Sequence, residues 1–274
     1  MRKLLRSNFI RLRNTPSFGL ALASLLLWNG IMLFSSYDAM MAYGGKLPVE
    51  SLLFTFLFII GIALSVLISL FTGTDYNDGT IRNKIITGQS RQNIYTANFI
   101  TCAASGLLLC IWGAAINLAI GVPLFGMPEI SVDILGLLFF DSILAAISYA
   151  SIFNLVGMLC SNKAHTVMIC VLTAFALFFV TILLYSALVQ PEMIEAAVMT
   201  DGEMSIEMTP NPNYISGIKR EIYQFFLDFL PSGQCVQIAN LEALHPIRMG
   251  IYSVIIIILS NVLGIFSFRK KDIQ

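Results

Sequence analysis

Six long apolar stretches, at residues 18–36, 51–72, 98–121, 133–159, 166–189 and 248–268, alternate with polar segments along the chain. Each reaches the roughly 20 residues that a helix needs to cross a hydrocarbon core. The pattern predicts six transmembrane helices. Ahead of them, residues 1–15 predict a further helix. Leu4, Leu5, Phe9 and Leu12 fall within one arc of a helical wheel, and Arg2, Lys3, Arg6, Arg11 and Arg13 occupy the remainder. Such a helix lies in the membrane interface with its apolar face towards lipid, and Pro16 marks the change of direction into the first span. A basic start before an apolar run is also the form of a signal peptide. No small-x-small cleavage site follows, and further spans do.

The polar segments are unequal. Ser161 to His165 is a tight turn carrying Lys163 and His165. Residues 190–246 form a long polar loop in which Ile215 to Leu230 predicts an amphipathic helix, with Ile218, Ile222, Phe225, Phe226 and Phe229 on its apolar side. Gly73 to Asn98, reading GTDYNDGTIRNKIITGQSRQNIYTAN, is the most motif-like polar stretch. Asp78-Gly79 signals a turn, and Asp78 is placed to cap the helix that follows. Thr80 to Thr87 predicts a short helix with Ile81 and Ile85 on one face, Gly88 ends it, and Ser90 is placed to cap the next helix, with Arg91 in its first turn. The result is a stub with one apolar side, to be covered by a partner protein or the membrane surface.

Composition agrees with membrane insertion. The chain of 274 residues is 57% hydrophobic and 12% charged, with mean hydropathy +0.81, against about 25% charged residues in soluble domains. One membrane domain over 1–274 is the natural count. The formal net charge is zero, so no global field draws nucleic acid. Charge is nevertheless sorted. With the N-terminus inside, the inner side holds Arg2, Lys3, Arg6, Arg11, Arg13, Arg82, Lys84, Arg91, Lys163, Arg269, Lys270 and Lys271. Lys46, Lys219, Arg220 and Arg248 fall outside. The positive-inside rule therefore predicts both termini in the cytoplasm. The outer loop carries Glu192, Glu195, Asp201, Glu203, Glu207, Glu221, Asp228 and Glu242.

The 73–98 loop resembles the first cytoplasmic loop of ABC-2 type transporter permeases of bacteria. The matching positions are Asp75, Tyr76, Gly79, Thr80, Ile81, Arg82, Ser90 and Arg91, with Asp75 where that family usually has Glu. Phe268 to Asp272 is similar to the family's ending. The resemblance implies an all-α integral membrane fold with an N-terminal interfacial helix, a short coupling helix at 74–92 and short lid or re-entrant helices between spans five and six. It also implies export driven by a separate ATP-binding subunit, which would carry the ATP and Mg; a second permease copy; and a multi-pass place in a bacterial plasma membrane. The subunit would dock on Asp78, Thr80, Ile81, Arg82, Lys84 and Ile85, beside Arg11 and Arg13, with Ile81 and Ile85 filling its groove.

Within the spans, Asp141 is the one acid well inside. A charge there costs about 2.5–3.5 kcal/mol on insertion scales. It either lines a substrate path with Ser148 and Asn117, or is protonated or bonded to Ser142, Ser148 or a neighbouring helix. Asn117, Asn154 and Asn261 fit helix–helix hydrogen bonds. Gly61, Ser65 and Ser69 form a small-residue stripe suited to close helix contact, within the chain or with a second copy. The five cysteines show no metal-ligand spacing and read as small apolar filler. No phosphate loop, H-E-x-x-H or G-x-S-x-G motif is present, so no metal site, cofactor or enzymatic activity is expected in this chain. A second reading is a stand-alone binding or immunity protein whose acidic outer loop captures cationic peptides.

Overall fold

The computed structural model describes residues 1–44, 47–200 and 203–272. Lys46 and Asp201 lie outside the described residues, and so do the side chains of Glu203 and Glu207. The chain begins with α1 (Arg2–Asn14), then α2 (Pro16–Tyr43), α3 (Glu50–Leu53), α4 (Leu57–Asn77), α5 (Thr80–Ile86) and α6 (Arg91–Ile116). A π-helical turn (Asn117–Gly121) leads to α7 (Val122–Phe125), α8 (Val132–Leu159) and α9 (Lys163–Leu188). After the hairpin β1 (Met193–Thr200) and β2 (Glu203–Pro210) come α10 (Gly217–Phe229), α11 (Pro231–Ala239) and α12 (Pro246–Lys270).

Six helices are long and apolar enough to cross a membrane: Pro16–Tyr43, Glu50–Asn77, Arg91–Phe125, Val132–Leu159, Lys163–Leu188 and Pro246–Lys270. They run beyond the apolar stretches because their polar ends carry their own start signals. Asn162 accepts from the backbone N–H of Ala164 at 2.8 Å, Ser90 accepts from that of Asn93 at 3.3 Å, and Pro opens α2 and α12. The span containing α4 is the hub. Its most apolar window is 72% buried, against 17% for α9. A helix apolar all round belongs in the interior, while α9 turns Leu172, Phe175, Phe179 and Leu183 outward.

The small-residue stripe on α4 is used inside the chain. A Cβ on Gly61 would meet Tyr149 Cζ of α8 at 2.7 Å, and Ser65 and Ser69 are fully buried, donating to carbonyls of their own helix. The second span is broken between α3 and α4. Over Phe54–Phe56 the backbone makes i→i−3 bonds, such as Leu57 N–H to Phe54 O at 3.0 Å. Asn117 donates through Nδ2 to the freed carbonyls of Leu52 at 2.8 Å and Leu53 at 3.0 Å.

Two features of the 190–246 loop depart from the sequence reading. Its first part is an antiparallel hairpin, Met193 pairing with Pro210 and Thr200 with Glu203, so the otherwise helical fold carries two strands. Its last part, α11, is buried along its whole length, packed among α4, α8 and α9. Its polar groups are satisfied: Gln234 donates to Asp228 O at 2.9 Å and Met249 O at 3.0 Å, and accepts from Ser253 Oγ at 2.7 Å. Gln237 donates at 3.1 Å to the Asp228 carboxylate, which also accepts from Gln224 at 2.7 Å and lies 3.1 Å from His245 Nδ1. Cys235 is therefore a core residue. The amphipathic helix predicted over 215–230 is α10, whose Ile218, Ile222, Phe225 and Phe226 are exposed.

Candidate functional site

The candidate site is the end of the bundle where α5 meets α1, the turn after α8 and the last turn of α12. Asp75, in the last turn of α4, is 2% exposed. A carboxylate so buried needs counter-charge, and two elements supply it. Arg11 of α1 pairs with Asp75, and Lys84 of α5 lies 3.5 Å away on the other carboxylate oxygen. The Arg11 guanidinium also lies 3.9 Å from the centre of the Phe71 ring, and Lys84 donates to Asn8 Oδ1 at 3.1 Å. Burial holds Arg11 below its ordinary range, at about 10. Burial, and then repulsion by Arg11, holds Lys84 at about 8.

Tyr76 makes the second junction. Its hydroxyl donates to the carbonyl of Met158, at the end of α8, and accepts from Lys271 Nζ at 2.8 Å. Lys271 also donates to Met158 O at 3.2 Å, and burial holds it at about 8. Arg91 donates to the carbonyls of Phe268, Arg269 and Lys271, closing the end of α12. Cations at a helix C-terminus meet its negative dipole end.

The stub itself is α5. Gly79 precedes it with φ +64°, in the left-handed region, and is its cap position. Asp78 makes no capping hydrogen bond and is exposed, so its assignment as the cap is corrected; a left-handed glycine sets the turn instead. Thr80 is half-buried at the first position. Gly88 follows the helix with φ +84°, and Ser90 caps α6.

The apolar side of α5 is not free. Ile81 is 1% exposed and joins Leu4, Ile94, Tyr95, Ala97, Met158 and Phe268 in one cluster, with Ile85 packed against it. Ile81 is thus covered by the chain's own α1, α6, α8 and α12 and is not free to enter a partner's groove, whereas Ile85 is only half-buried. The outward arc carries Arg82, Asn83 and Ile86, the last 72% exposed. The helical wheel identified an apolar face without revealing that a second apolar residue lies outside it. In α1, likewise, Leu4, Asn8 and Leu12 are buried against the chain, while Phe9 and Ile10 stay exposed beside Arg13. The first of these faces therefore packs on protein, not on lipid.

Because α5 is tied to α1 through Lys84 and to α6, α8 and α12 through Ile81, a push on its outer arc strains all of them. Close-packed interiors transmit such strain.

Asp141, Ser148 and Asn117 are not brought together. Asp141 is buried beside Gly250 of α12, and its Oδ2 has no hydrogen-bond partner among the described residues. Ser148 donates to Ser253 O at 3.1 Å. Asn117 serves the break in the second span. Asn154 accepts from Asn98 at 2.9 Å across two spans, but Asn261 bonds within its own helix, to Ile257 O at 2.8 Å. Asn8, which holds Lys84, carries no motif in the sequence, and the contact of Lys271 with Tyr76 could not be read from its place in the basic ending. No family model matches the chain, and no curated protein matches it.

Proposed function

We propose that this chain is the membrane-spanning permease subunit of an ATP-driven ABC-2 type exporter. In this reading, the α5 end faces the cytoplasm and a separate ATP-binding subunit docks there. The observation that carries the reading is the construction of α5. A helix of seven residues is too short to persist alone in water, yet here it is set by a left-handed glycine and clamped to four other helices. It still presents Arg82 and Ile86 outward. The basic residues around it, with the positive-inside rule, support the cytoplasmic side. The resemblance of the 73–98 loop supplies the identity of the partner.

Docking then works through the outer arc. Ile86 enters an apolar recess on the ATP-binding subunit, and Arg82 meets acidic groups at its rim. Closure of two such subunits presses α5, and the clamp passes that force to the spans. Two permease copies give the two docking points. The substrate class is a peptide or antibiotic, leaving past the acidic outer loop.

Co-expression with an ATP-binding subunit encoded beside this chain, followed by co-purification in detergent, tests the reading. Capture that Arg82→Glu and Ile86→Asp abolish supports it. A well-folded wild type that captures none favours the stand-alone binding protein acting through residues 190–246.

A further inference from the structure

A cavity of about 790 Å³ opens where the end of α4 meets the turn between α8 and α9. Its lining divides along the helix axes. Asn77, Ser161, Asn162 and Lys163 line the end nearest the turn, and Leu70 and Met168 line the rest. Leu70 lies about two helical turns deeper in α4 than Asn77, and Met168 more than one turn deeper in α9 than Lys163. A second cavity, of about 380 Å³, shares Ser161, Asn162 and Met168 with the first and runs on to Ile169. From Met168 an exposed apolar row continues along α9 through Leu172, Phe175 and Phe179, spaced as one helical face. A polar seat at the end of the spans, with two apolar channels leading from it towards the membrane interior, fits a two-chain lipid better than a small hydrophilic solute.

Lys163 supplies the charge. Its stem is pressed against Gly73 of α4, where an added Cβ would lie 3.0 Å from Lys163 Cγ and 3.1 Å from its Cα. Arg11 and Lys84 share Asp75, but Lys163 takes part in none of the ion pairs among the described residues. No acid lines either cavity; Asp78, which accepts from Asn77 at 3.4 Å, is not part of the lining. The first amides of α9 are already taken, because Asn162 Oδ1 accepts from the N–H of Ala164 at 2.8 Å and of His165 at 3.3 Å. The charge left for an anion is therefore the Lys163 ammonium, with Asn162 Nδ2 and Ser161 Oγ as neutral donors beside it.

We propose that this cavity seats an anionic phospholipid, its headgroup phosphate on Lys163 and its acyl chains along Leu70 and Met168. Basic pockets between spans recognise headgroups in this way, and long lysine stems pack on apolar surface while their ammonium stays among polar groups. The apolar part of the lining selects a lipid over free phosphate. A lipid seated there touches both α4, the hub, and α9, the span with the least buried window. The site needs only insertion of the six helices in a membrane, and is independent of docking at α5.

The test is a lipid titration of the purified full-length protein in detergent, with bound lipid counted by native mass spectrometry. Phosphatidylglycerol should bind at least about fivefold more tightly than phosphatidylcholine, the effect of one lysine near a charged headgroup. Lys163→Gln should abolish that preference, and Arg6→Gln, an exposed cation on α1, should keep it. Equal affinities for the two lipids, a preference that Lys163→Gln retains, or one that Arg6→Gln abolishes equally would overturn the site. Displacement of phosphatidylglycerol by excess inorganic phosphate would also overturn it, by assigning Lys163 to the free anion. Should Lys163→Gln not fold, Met168→Trp decides, since it fills the apolar part from a position that is 57% exposed and leaves every charge in place. Weaker phosphatidylglycerol binding by that variant supports the seat, and unchanged binding overturns it.

Discussion

The guanidinium of Arg11 in α1 is paired with the carboxylate of Asp75 in the last turn of α4. Asp75 is the only carboxylate paired with either Arg11 or Lys84 among the described residues. Its removal strands two largely buried cations. Breaking a buried pair costs about 3–5 kcal/mol, and the partial exposure of Arg11 puts Asp75→Asn at or below the lower end of that range. The expected outcome is release of α1 while the spans stay intact. Hydrogen exchange reads this as faster exchange in residues 2–14 than in α8.

Lys84 gives the junction a pH dependence. Its folded-state value, about 8, lies below the ordinary 10.5. Between these values the unfolded chain binds more protons than the folded one, so stability rises with pH through that window. Arg11, held at about 10, shifts in the same direction. The wild-type melting midpoint should therefore rise relative to Lys84→Met from about pH 8 towards pH 10. A relative fall over that window would contradict the burial of Lys84.

Gly79 occupies φ +64° with no atom near a prospective Cβ. The obstacle to a side chain is thus conformational, not steric crowding. A β-branched residue there costs about 1–2 kcal/mol or more. If the chain is the proposed exporter subunit, Gly79→Val inserts normally yet uncouples ATP hydrolysis from export, because α5 no longer starts at the correct angle. Transport at the wild-type rate by this variant would remove α5 from the coupling path.

Gly61→Ala tests the packing of the hub. The added Cβ would lie 2.7 Å from Tyr149 Cζ, on a ring that is itself fully enclosed near Phe153. Overpacking of this kind costs about 1–3 kcal/mol. The thermal midpoint in detergent should fall, whereas Gly136→Ala, with nothing within 4 Å, should leave it unchanged.

Hydropathy alone located the six long helices, because a span's length and apolar content are local properties. The Ser90 cap and the glycine after α5 were legible for the same reason. What covers a face is not local. Ile81 and Ile86 are both apolar residues of one short helix, and only the arrival of Leu4 and Phe268 decides which is hidden. The polar composition of α11 suggested an exposed loop, although Gln234 and Gln237 find their partners inside the fold. The hairpin had a signal, the Asp201-Gly202 dipeptide between two runs rich in Met, Val and Ile, of the kind that marks hairpins. The break at Phe54–Phe56 had none, since its cause is an asparagine on another span.

Site-specific photo-crosslinking in the producing cell tests the docking claim most directly. A photoreactive side chain would replace Ile86 in one variant and Ile81 in another, with the ATP-binding subunit present. Docking through the outer arc of α5 predicts a crosslink from position 86 to that subunit and, from position 81, crosslinks only within this chain. Crosslinks from position 86 to lipid alone, in a correctly inserted protein, would contradict it.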